Sequence, residues 1–177
     1  MANFIRTYYH SNRLKEEYFK NGEKIEGIYK KYYENGQLWE ICNYINGNRE
    51  GECKGYREDG KLSYESTYIG DRQHGKFKSY YLSGQPHVIC SFINGKRDGV
   101  YKLYLDNGQL YETCNYINDK REGKYKLYRE NGQLFNICSY VNGKKEGKYK
   151  SYHTNGHLDK IFYYVNDIKQ NKNWYIY

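Results

Sequence analysis

The sequence is poor in the aliphatic and phenylalanine side chains from which most globular cores are built. Hydrophobic residues make up 38% of the chain, and tyrosine accounts for 25 positions, so little Leu, Ile, Val and Phe remains. This composition excludes a thick layered core. It favours a thin stack in which each structural unit contacts only its neighbours.

Long apolar runs are also missing. No segment approaches the roughly 18 apolar residues that a membrane-spanning helix needs. The N-terminal stretch MANFIRTYYH lacks the apolar centre of a secretory signal. We therefore expect a cytoplasmic protein without a transmembrane segment.

What the sequence does contain is one repeat with a period of 24 residues. One series of glycines follows Asn, Asp or Ser: Gly36, Gly60, Gly84, Gly108, Gly132 and Gly156. A second series keeps the same period: Gly27, Gly51, Gly75, Gly99, Gly123 and Gly147. We predict a single repeat array over residues 1–177, with no linker and no second domain.

Each repeat is predicted to be a β-hairpin. Its apolar residues alternate with polar ones, and Tyr, Phe, Ile and Val suit a pleated surface. Pairs such as Asn35-Gly36 favour a two-residue type I′ turn, and pairs such as Asn46-Gly47 begin a return turn that a glycine four residues later ends. The predicted fold class is all-β, an elongated single antiparallel β-meander of about seven hairpins, twisted or curled along its length.

The turn also predicts which residues face each other across the hairpin. A two-residue turn at Asn35-Gly36 pairs Tyr33 with Leu38, Tyr32 with Trp39, Tyr29 with Cys42, and Gly27 with Tyr44. Because side chains alternate between the two faces of a strand, Tyr29 and Cys42 share one face and Lys30 and Tyr32 share the other. We expect the face with the cysteines to be the inner one.

The pattern resembles the MORN repeat family, in a variant with a Y-x-x-N-G-Q-L segment and an N-G-K-x-x-G turn. Residues 123–146, GKYKLYRENGQLFNICSYVNGKKE, carry this signature, and about seven copies span nearly the whole chain. The resemblance implies a β-hairpin array with a scaffold or lipid-contacting role. Heavy use of Asn, Lys, Tyr and Ile is typical of AT-rich genomes, so the chain also resembles arrays encoded by large DNA viruses and bacteria; a viral source would place it in the host cytoplasm.

The cysteines are predicted to be structural. Cys42, Cys90, Cys114 and Cys138 share one position of the repeat. Equivalent residues lie two strands apart, roughly 9.5 Å, whereas a disulfide needs Cα atoms within about 7 Å. Cys53 occupies a tyrosine position and is expected to pack there. We interpret all five as reduced, buried residues, unaffected by oxidation state or chelators, and we predict no metal site and no cofactor.

Motifs of catalysis are missing as well. The sequence has no nucleophile elbow, phosphate loop or Ser/His/Asp arrangement. Acidic residues recur at one turn position, as Glu26, Glu50, Asp98, Glu122 and Glu146, and we expect them to pair with Lys24, Arg49, Arg97, Arg121 and Lys145. A catalytic pair seldom repeats at every step of an array, so we expect a protein that is not an enzyme.

One basic residue per repeat forms the strongest candidate for a binding site. These residues are Arg6, Lys30, Lys54, Lys78, Lys102, Lys126 and Lys150. By parity they share a face with Tyr32, Tyr56, Tyr80, Tyr104, Tyr128 and Tyr152. With a net charge of +8, this stripe is suited to anionic phospholipid at a membrane periphery. Nucleic acid is a weaker alternative, because the stripe has almost no arginine to read bases. A solvated face, with lysine stems covering apolar surface, explains the same pattern without a ligand.

The ends of the array supply the principal functional hypothesis. The terminal strands carry Phe4, Ile5 and Tyr8 at one end and Trp174, Tyr175, Ile176 and Tyr177 at the other. Exposed apolar edges act as templates for another strand. We therefore predict a scaffold or protein-interaction module that binds a protein partner, or a second copy of itself, through its edge strands.

Overall fold

The structure, a computed structural model, describes residues 2–170. The predicted C-terminal edge at Trp174, Tyr175, Ile176 and Tyr177 lies outside the described residues. The chain forms two compact units that divide between Lys96 and Arg97. The prediction of one array over residues 1–177 stays a prediction.

Both units are all-β, and their strands pair antiparallel in chain order, so the predicted β-meander of hairpin repeats is confirmed. The first unit contains β1 (Ala2–Tyr8), β2 (Leu14–Asn21), β3 (Lys24–Tyr32), β4 (Leu38–Ile45), β5 (Asn48–Tyr56), β6 (Leu62–Ile69), β7 (Arg72–Tyr80) and β8 (Pro86–Ile93). A two-residue strand, β9 (Lys96–Arg97), falls at the division. The second unit contains β10 (Gly99–Tyr104), β11 (Leu110–Ile117), β12 (Lys120–Tyr128), β13 (Leu134–Val141), β14 (Lys144–Tyr152), β15 (Leu158–Val165) and β16 (Ile168–Lys169). No helix of membrane-spanning length and apolarity occurs among residues 2–170.

The turn at Asn35-Gly36 differs from the prediction. Gly36 has a φ of +90°, whereas Asn35 does not have a positive φ, so the turn is not type I′. The N–H of Tyr33 donates to the carbonyl of Gln37 and that of Gly36 donates to the carbonyl of Tyr33. These bonds enclose a three-residue loop that ends in a left-handed glycine.

The longer loop changes the register only beside the turn. Tyr32 faces Leu38, and the predicted pairs Tyr33 with Leu38 and Tyr32 with Trp39 are wrong. A bulge in β4 absorbs the extra residue, because a bulge sets two residues of one strand against one of its neighbour. Beyond the bulge the predicted pairs are correct: Tyr29 faces Cys42 and Gly27 faces Tyr44.

The type I′ turns lie at the return ends instead. Asn46 and Gly47 have φ values of +54° and +85°, and Ile45 faces Asn48 across them. The glycine four residues later does not end this turn. Gly51 lies within β5, with a φ of +80°, where the register against β4 shifts.

The recurring turn carboxylates connect successive repeats. Glu26 accepts a hydrogen bond from the backbone N–H of Asn46 at 2.9 Å, and Glu122 accepts one from Asn142 at 2.8 Å. Glu50, Asp98 and Glu146 make the same bond to Gly70, Asn118 and Asn166. The predicted partners of these carboxylates were therefore wrong: backbone N–H groups of the next return turn take that place, which satisfies donors that the turn leaves unpaired.

The two faces of the sheet differ in burial. We call the face that carries Tyr29 and Cys42 the cysteine face, and the face that carries Lys30 and Ile41 the lysine face. The buried apolar residues lie on the cysteine face: Cys42, Cys53, Tyr68, Cys90, Cys114, Tyr116, Cys138 and Tyr140. The cysteine face is therefore the more buried of the two, as the sequence predicted.

Three cysteines match their predicted surroundings. Cys90 faces Phe77, Cys114 faces Tyr101 and Cys138 faces Tyr125, and all three are buried and not joined in a disulfide. The other two do not match, because a disulfide joins Cys42 to Cys53. The prediction compared only equivalent residues two strands apart, whereas Cys53 lies on the adjacent strand directly opposite Cys42.

Candidate functional site

The predicted basic residues lie in one row of facing pairs on the lysine face of each unit. In the first unit Arg6 faces Glu17, which faces Lys30, which faces Ile41. The row continues from Ile41 to Lys54, Glu65, Lys78 and Ile89. Facing residues share a face, so Lys30, Lys54 and Lys78 each have two cross-strand neighbours that determine their electrostatic surroundings. Arg6, on the edge strand β1, has only Glu17.

Carboxylates neutralise the row in the first unit. Lys30 lies 3.3 Å from Glu17, and Arg6 lies 3.4 Å from the same carboxylate. Lys78 lies 3.7 Å from Glu65, and Lys54 lies 3.7 Å from Glu52. A ligand anion would have to compete with these carboxylates for the four cations.

Two tyrosines of the predicted stripe donate hydrogen bonds to carboxylates of this row. Each ends a strand, and in the first unit the hydroxyl of Tyr32 donates to Glu17 at 2.8 Å, while that of Tyr80 donates to Glu65. The bond from Tyr32, reinforced by Lys30, lowers the pKa of Glu17. Burial and the bond to Glu65 raise the pKa of Tyr80 to about 12. Tyr56 ends β5 in the same position.

The row of the second unit has no carboxylate. Lys102 faces Thr113, and Lys126 lies between Thr113 and Ile137. Lys150 lies between Ile137 and Ile161. Among the described residues, no ion pair joins Lys102, Lys126 or Lys150 to an acidic side chain. The stripe tyrosines here are Tyr104, Tyr128 and Tyr152, which end β10, β12 and β14.

Two lysines missed by the sequence analysis extend this row. Lys124 and Lys148 lie two residues before Lys126 and Lys150 on the same strands, and both are exposed on the lysine face. Their equivalents in the first unit include Ile28 on β3, Glu52 on β5 and Lys76 on β7. Alignment of the repeats at the 24-residue period shows these lysines, because the position that holds a carboxylate in one repeat holds a cation in three later ones.

A second missed feature is an aliphatic residue before each return turn. It lies on the lysine face and is roughly half exposed in every repeat: Ile45, Ile69, Ile93, Ile117, Val141 and Val165. Aliphatic side chains at regular exposed positions do not contribute to the buried face. In the second unit Ile117 and Val141 lie four residues along their strands from Thr113 and Ile137, which face Lys126.

The predicted edge strand β1 pairs with β2, and the described residues place no strand on its other side. Phe4 is 47% exposed and Tyr8 is 56% exposed, while Ile5 faces Tyr18. The ring of Phe4 packs on Phe19 with centroids 4.9 Å apart. This edge therefore presents backbone groups together with aromatic side chains.

A short hairpin repeated along an antiparallel sheet, with one basic residue in each copy, defines a β-hairpin repeat protein. The chain belongs to the MORN repeat variant family. Its six matched repeats are residues 25–46, 49–69, 73–94, 97–118, 121–142 and 145–166.

Other comparisons add little. No curated protein matches this sequence. Thirty-five chains of solved structures match. One of them, titled "Crystal Structure of TarM", is 12% identical with a TM-score of 0.29, and the match covers 81% of this chain and 20% of that chain. A likeness at this level carries no argument about fold or function.

Proposed function

We propose that this protein is a non-enzymatic repeat module that binds anionic phospholipid surfaces through the lysine face of its second unit. Repeats of this family indicate protein or membrane binding in general, and the arrangement of charge supports the membrane. The observation that carries the proposal is the contrast between Lys30, which is paired with Glu17, and Lys126, which faces only Thr113 and Ile137.

The chemistry of the second unit suits a fluid anionic surface. Lys102, Lys124, Lys126, Lys148 and Lys150 supply five ammonium groups on one face. Each lysine near such a surface contributes about 1 kcal/mol. Lipid head groups move freely in the membrane plane, so a row of cations needs no fixed ligand spacing. Ile117, Val141 and Val165, all about half exposed, supply apolar contact beside the cations.

Vesicle co-sedimentation with matched charge removal tests this proposal. The variant Lys126→Gln/Lys150→Gln removes two unpaired cations. The control Lys30→Gln/Lys78→Gln removes two cations that are paired with carboxylates. We expect the first variant to bind vesicles containing phosphatidylserine about 30-fold more weakly, which corresponds to about 2 kcal/mol, and the control to bind markedly better than that.

The salt dependence and the lipid composition decide the outcome. Binding to anionic vesicles should weaken as salt screens the charges, and neutral vesicles should not bind. Equal binding to both vesicle types, or equal loss in the two variants, would overturn the proposal. No binding to either type would leave the edge strand as the supported site.

The open edge of β1 supports a second candidate, pairing with β1 of another copy of this chain. Antiparallel pairing of identical strands is two-fold symmetric and closes as a dimer. Static light scattering over a concentration series should then show a dimer.

Phe4→Lys should weaken this dimer, because lysine at an exposed edge disfavours pairing with another strand. Phe19→Lys is the control, since Phe19 is similarly exposed but lies on β2, which has strands on both sides. A wild-type protein that stays monomeric throughout would remove this candidate.

A further inference from the structure

Cys42 and Cys53 stand out on the cysteine face of the first unit. They are the largest side chains in the described structure with less than 2% exposure. They face each other on β4 and β5, with Cα atoms 4.2 Å apart, and a disulfide joins them. The pair belongs neither to the lysine row nor to the β1 edge, the two sites proposed above.

The repeat pattern is altered at three neighbouring positions around the pair. Cys53 stands where five other repeats have a ring: Tyr29, Phe77, Tyr101, Tyr125 and Tyr149. Gly55 stands where other repeats have larger side chains such as Lys31 and Leu127. The ring of Tyr64 occupies the vacated space, because a Cβ added at Gly55 would lie 2.1 Å from Cε1 of that ring. The third change is Tyr64 itself, which stands where other repeats have Glu40 and Glu112. The changes fit one another, since Gly55 leaves room for the Tyr64 ring and the loss of a ring at position 53 leaves room for a second sulfur.

A carboxylate completes the group. One oxygen of Glu40 and the sulfurs of Cys42 and Cys53 all lie within 4.8 Å of one another. The hydroxyl of Tyr64 donates a hydrogen bond to Glu40, and this bond orients the carboxylate beside the sulfurs. Two thiolates and one carboxylate are ligand types that Zn²⁺ accepts, and three protein ligands leave its fourth position for water.

We propose that Cys42, Cys53 and Glu40 form a site for one thiophilic divalent cation of the Zn²⁺ class, and that the disulfide controls access to it. In the oxidised form the two sulfurs are bonded to each other and have no thiolate to offer. Reduction by a thiol pair such as glutathione adds two electrons and two protons, which gives two free thiols and one molecule of glutathione disulfide. Cation binding then releases both thiol protons to solvent.

The second unit supplies a natural comparison. Cys114 occupies the same position of the repeat as Cys42, and Glu112 occupies that of Glu40. Cys114 faces Tyr101, however, so no second sulfur is present. The carboxylate of Glu112 lies 2.9 Å from the guanidinium of Arg121. This residue set therefore lacks both the second thiolate and a freely available carboxylate.

Cadmium titration of the reduced chain tests the proposal. A phosphine reductant converts the disulfide into two thiols and takes up the oxygen of one water molecule, and it is then removed without air. Cd²⁺ is a spectroscopic probe for thiolate sites, because sulfur-to-cadmium charge transfer absorbs in the ultraviolet. We expect one Cd²⁺ per chain in the reduced protein and no such absorption in the oxidised protein.

Matched variants assign the absorption to these residues. Cys42→Ser and Cys53→Ser should each abolish it, whereas Cys114→Ser should retain it in full. Glu40→Gln should weaken Cd²⁺ binding roughly tenfold or more. An unchanged signal in Cys42→Ser, or an equal loss in Cys114→Ser, would overturn the proposal.

A further variant guards against misfolding of the single cysteine variants. The triple change Cys90→Ser/Cys114→Ser/Cys138→Ser leaves only the Cys42 and Cys53 thiols. This variant should bind one Cd²⁺ with the full wild-type absorption. Loss of the signal in this variant, while circular dichroism still reports the β-sheet, would show that the pair alone is not the site.

Discussion

The ammonium nitrogen of Lys30 lies 3.3 Å from a carboxylate oxygen of Glu17. The equivalent lysine of a later repeat, Lys126, has a threonine and an isoleucine as its cross-strand neighbours. The repeat therefore places a cation at the same position each time, while the residue on the next strand determines whether that cation is neutralised. This second position gives the two units different surface chemistry.

The Glu17 carboxylate predicts a loss of stability in acid. The hydrogen bond from Tyr32, with help from Lys30, holds the pKa of Glu17 below its ordinary value of 4.5. A lowered folded-state pKa stabilises the fold above the unfolded value, and this contribution disappears as the pH falls through the folded value. Glu17→Gln should flatten this part of the stability profile, as measured by urea unfolding between neutral pH and acid. Glu23→Gln, at a carboxylate that is 99% exposed, should leave the profile unchanged, and an equal effect of both variants would contradict the prediction.

Tyr32 predicts a second transition at alkaline pH. Burial, followed by the hydrogen bond to Glu17, raises its pKa from 10.0 to about 12. A raised folded-state pKa means that the stabilisation is complete below pH 10 and is lost as the pH rises through about 12. Tyr32→Phe should cost about 1 to 3 kcal/mol at neutral pH, because Glu17 loses a charge-assisted bond, and it should reduce the alkaline loss. Tyr128→Phe is the matched control on β12. Unfolding profiles that respond equally to both variants would be inconsistent with this assignment.

We expect the stability effects of substitutions at Gly55 and Tyr64 to be coupled. Gly55→Ala should destabilise the first unit by about 1 to 3 kcal/mol, since the new methyl group collides with the Tyr64 ring. Tyr64→Val places there the residue that position 88 has in a later repeat. The double variant should lose less stability than the sum of the two single variants, as a double-mutant cycle in urea would measure. Additive losses would show that the two side chains do not compete for this space.

Substitution of Cys138 measures how much stability is lost when a polar group is buried on the cysteine face. Burial raises the pKa of this thiol, and Cys138 faces the ring of Tyr125. Cys138→Ser should cost about 1 to 3 kcal/mol, because it buries a hydroxyl without a partner, and Cys138→Ala should cost less. Thermal unfolding followed by circular dichroism distinguishes the two. The reverse order would mean that the position offers the hydroxyl a hydrogen bond, as Gln73 does for Ser66 at 3.2 Å.

The sequence alone determined the strands and most of their register. The 24-residue period and alternating polarity were sufficient, because each hairpin pairs with its immediate neighbours and no long-range choice of partner arises. The left-handed glycine of the turn, such as Gly36, was also visible, whereas the left-handed conformation predicted for Asn35 is not found. The type I′ turn was predicted at Asn35-Gly36 but lies at Asn46-Gly47, because Asn-Gly is compatible both with a two-residue loop and with a longer loop that ends in a left-handed glycine. The bulge that absorbs the extra residue has no distinct sequence signal.

Only the tertiary structure decided which side chains meet on adjacent strands. Alignment of repeats compares residues two strands apart, so it correctly separated Cys42 from Cys90 but gave no reason to join Cys42 to Cys53. In the same way it aligned all the stripe cations, yet it did not show that Glu17 and Glu65 neutralise the first row. Charge pairing and sulfur chemistry act over a few ångströms between neighbouring strands. They therefore depend on the bulges and turns that place each side chain, which the repeat period by itself does not specify.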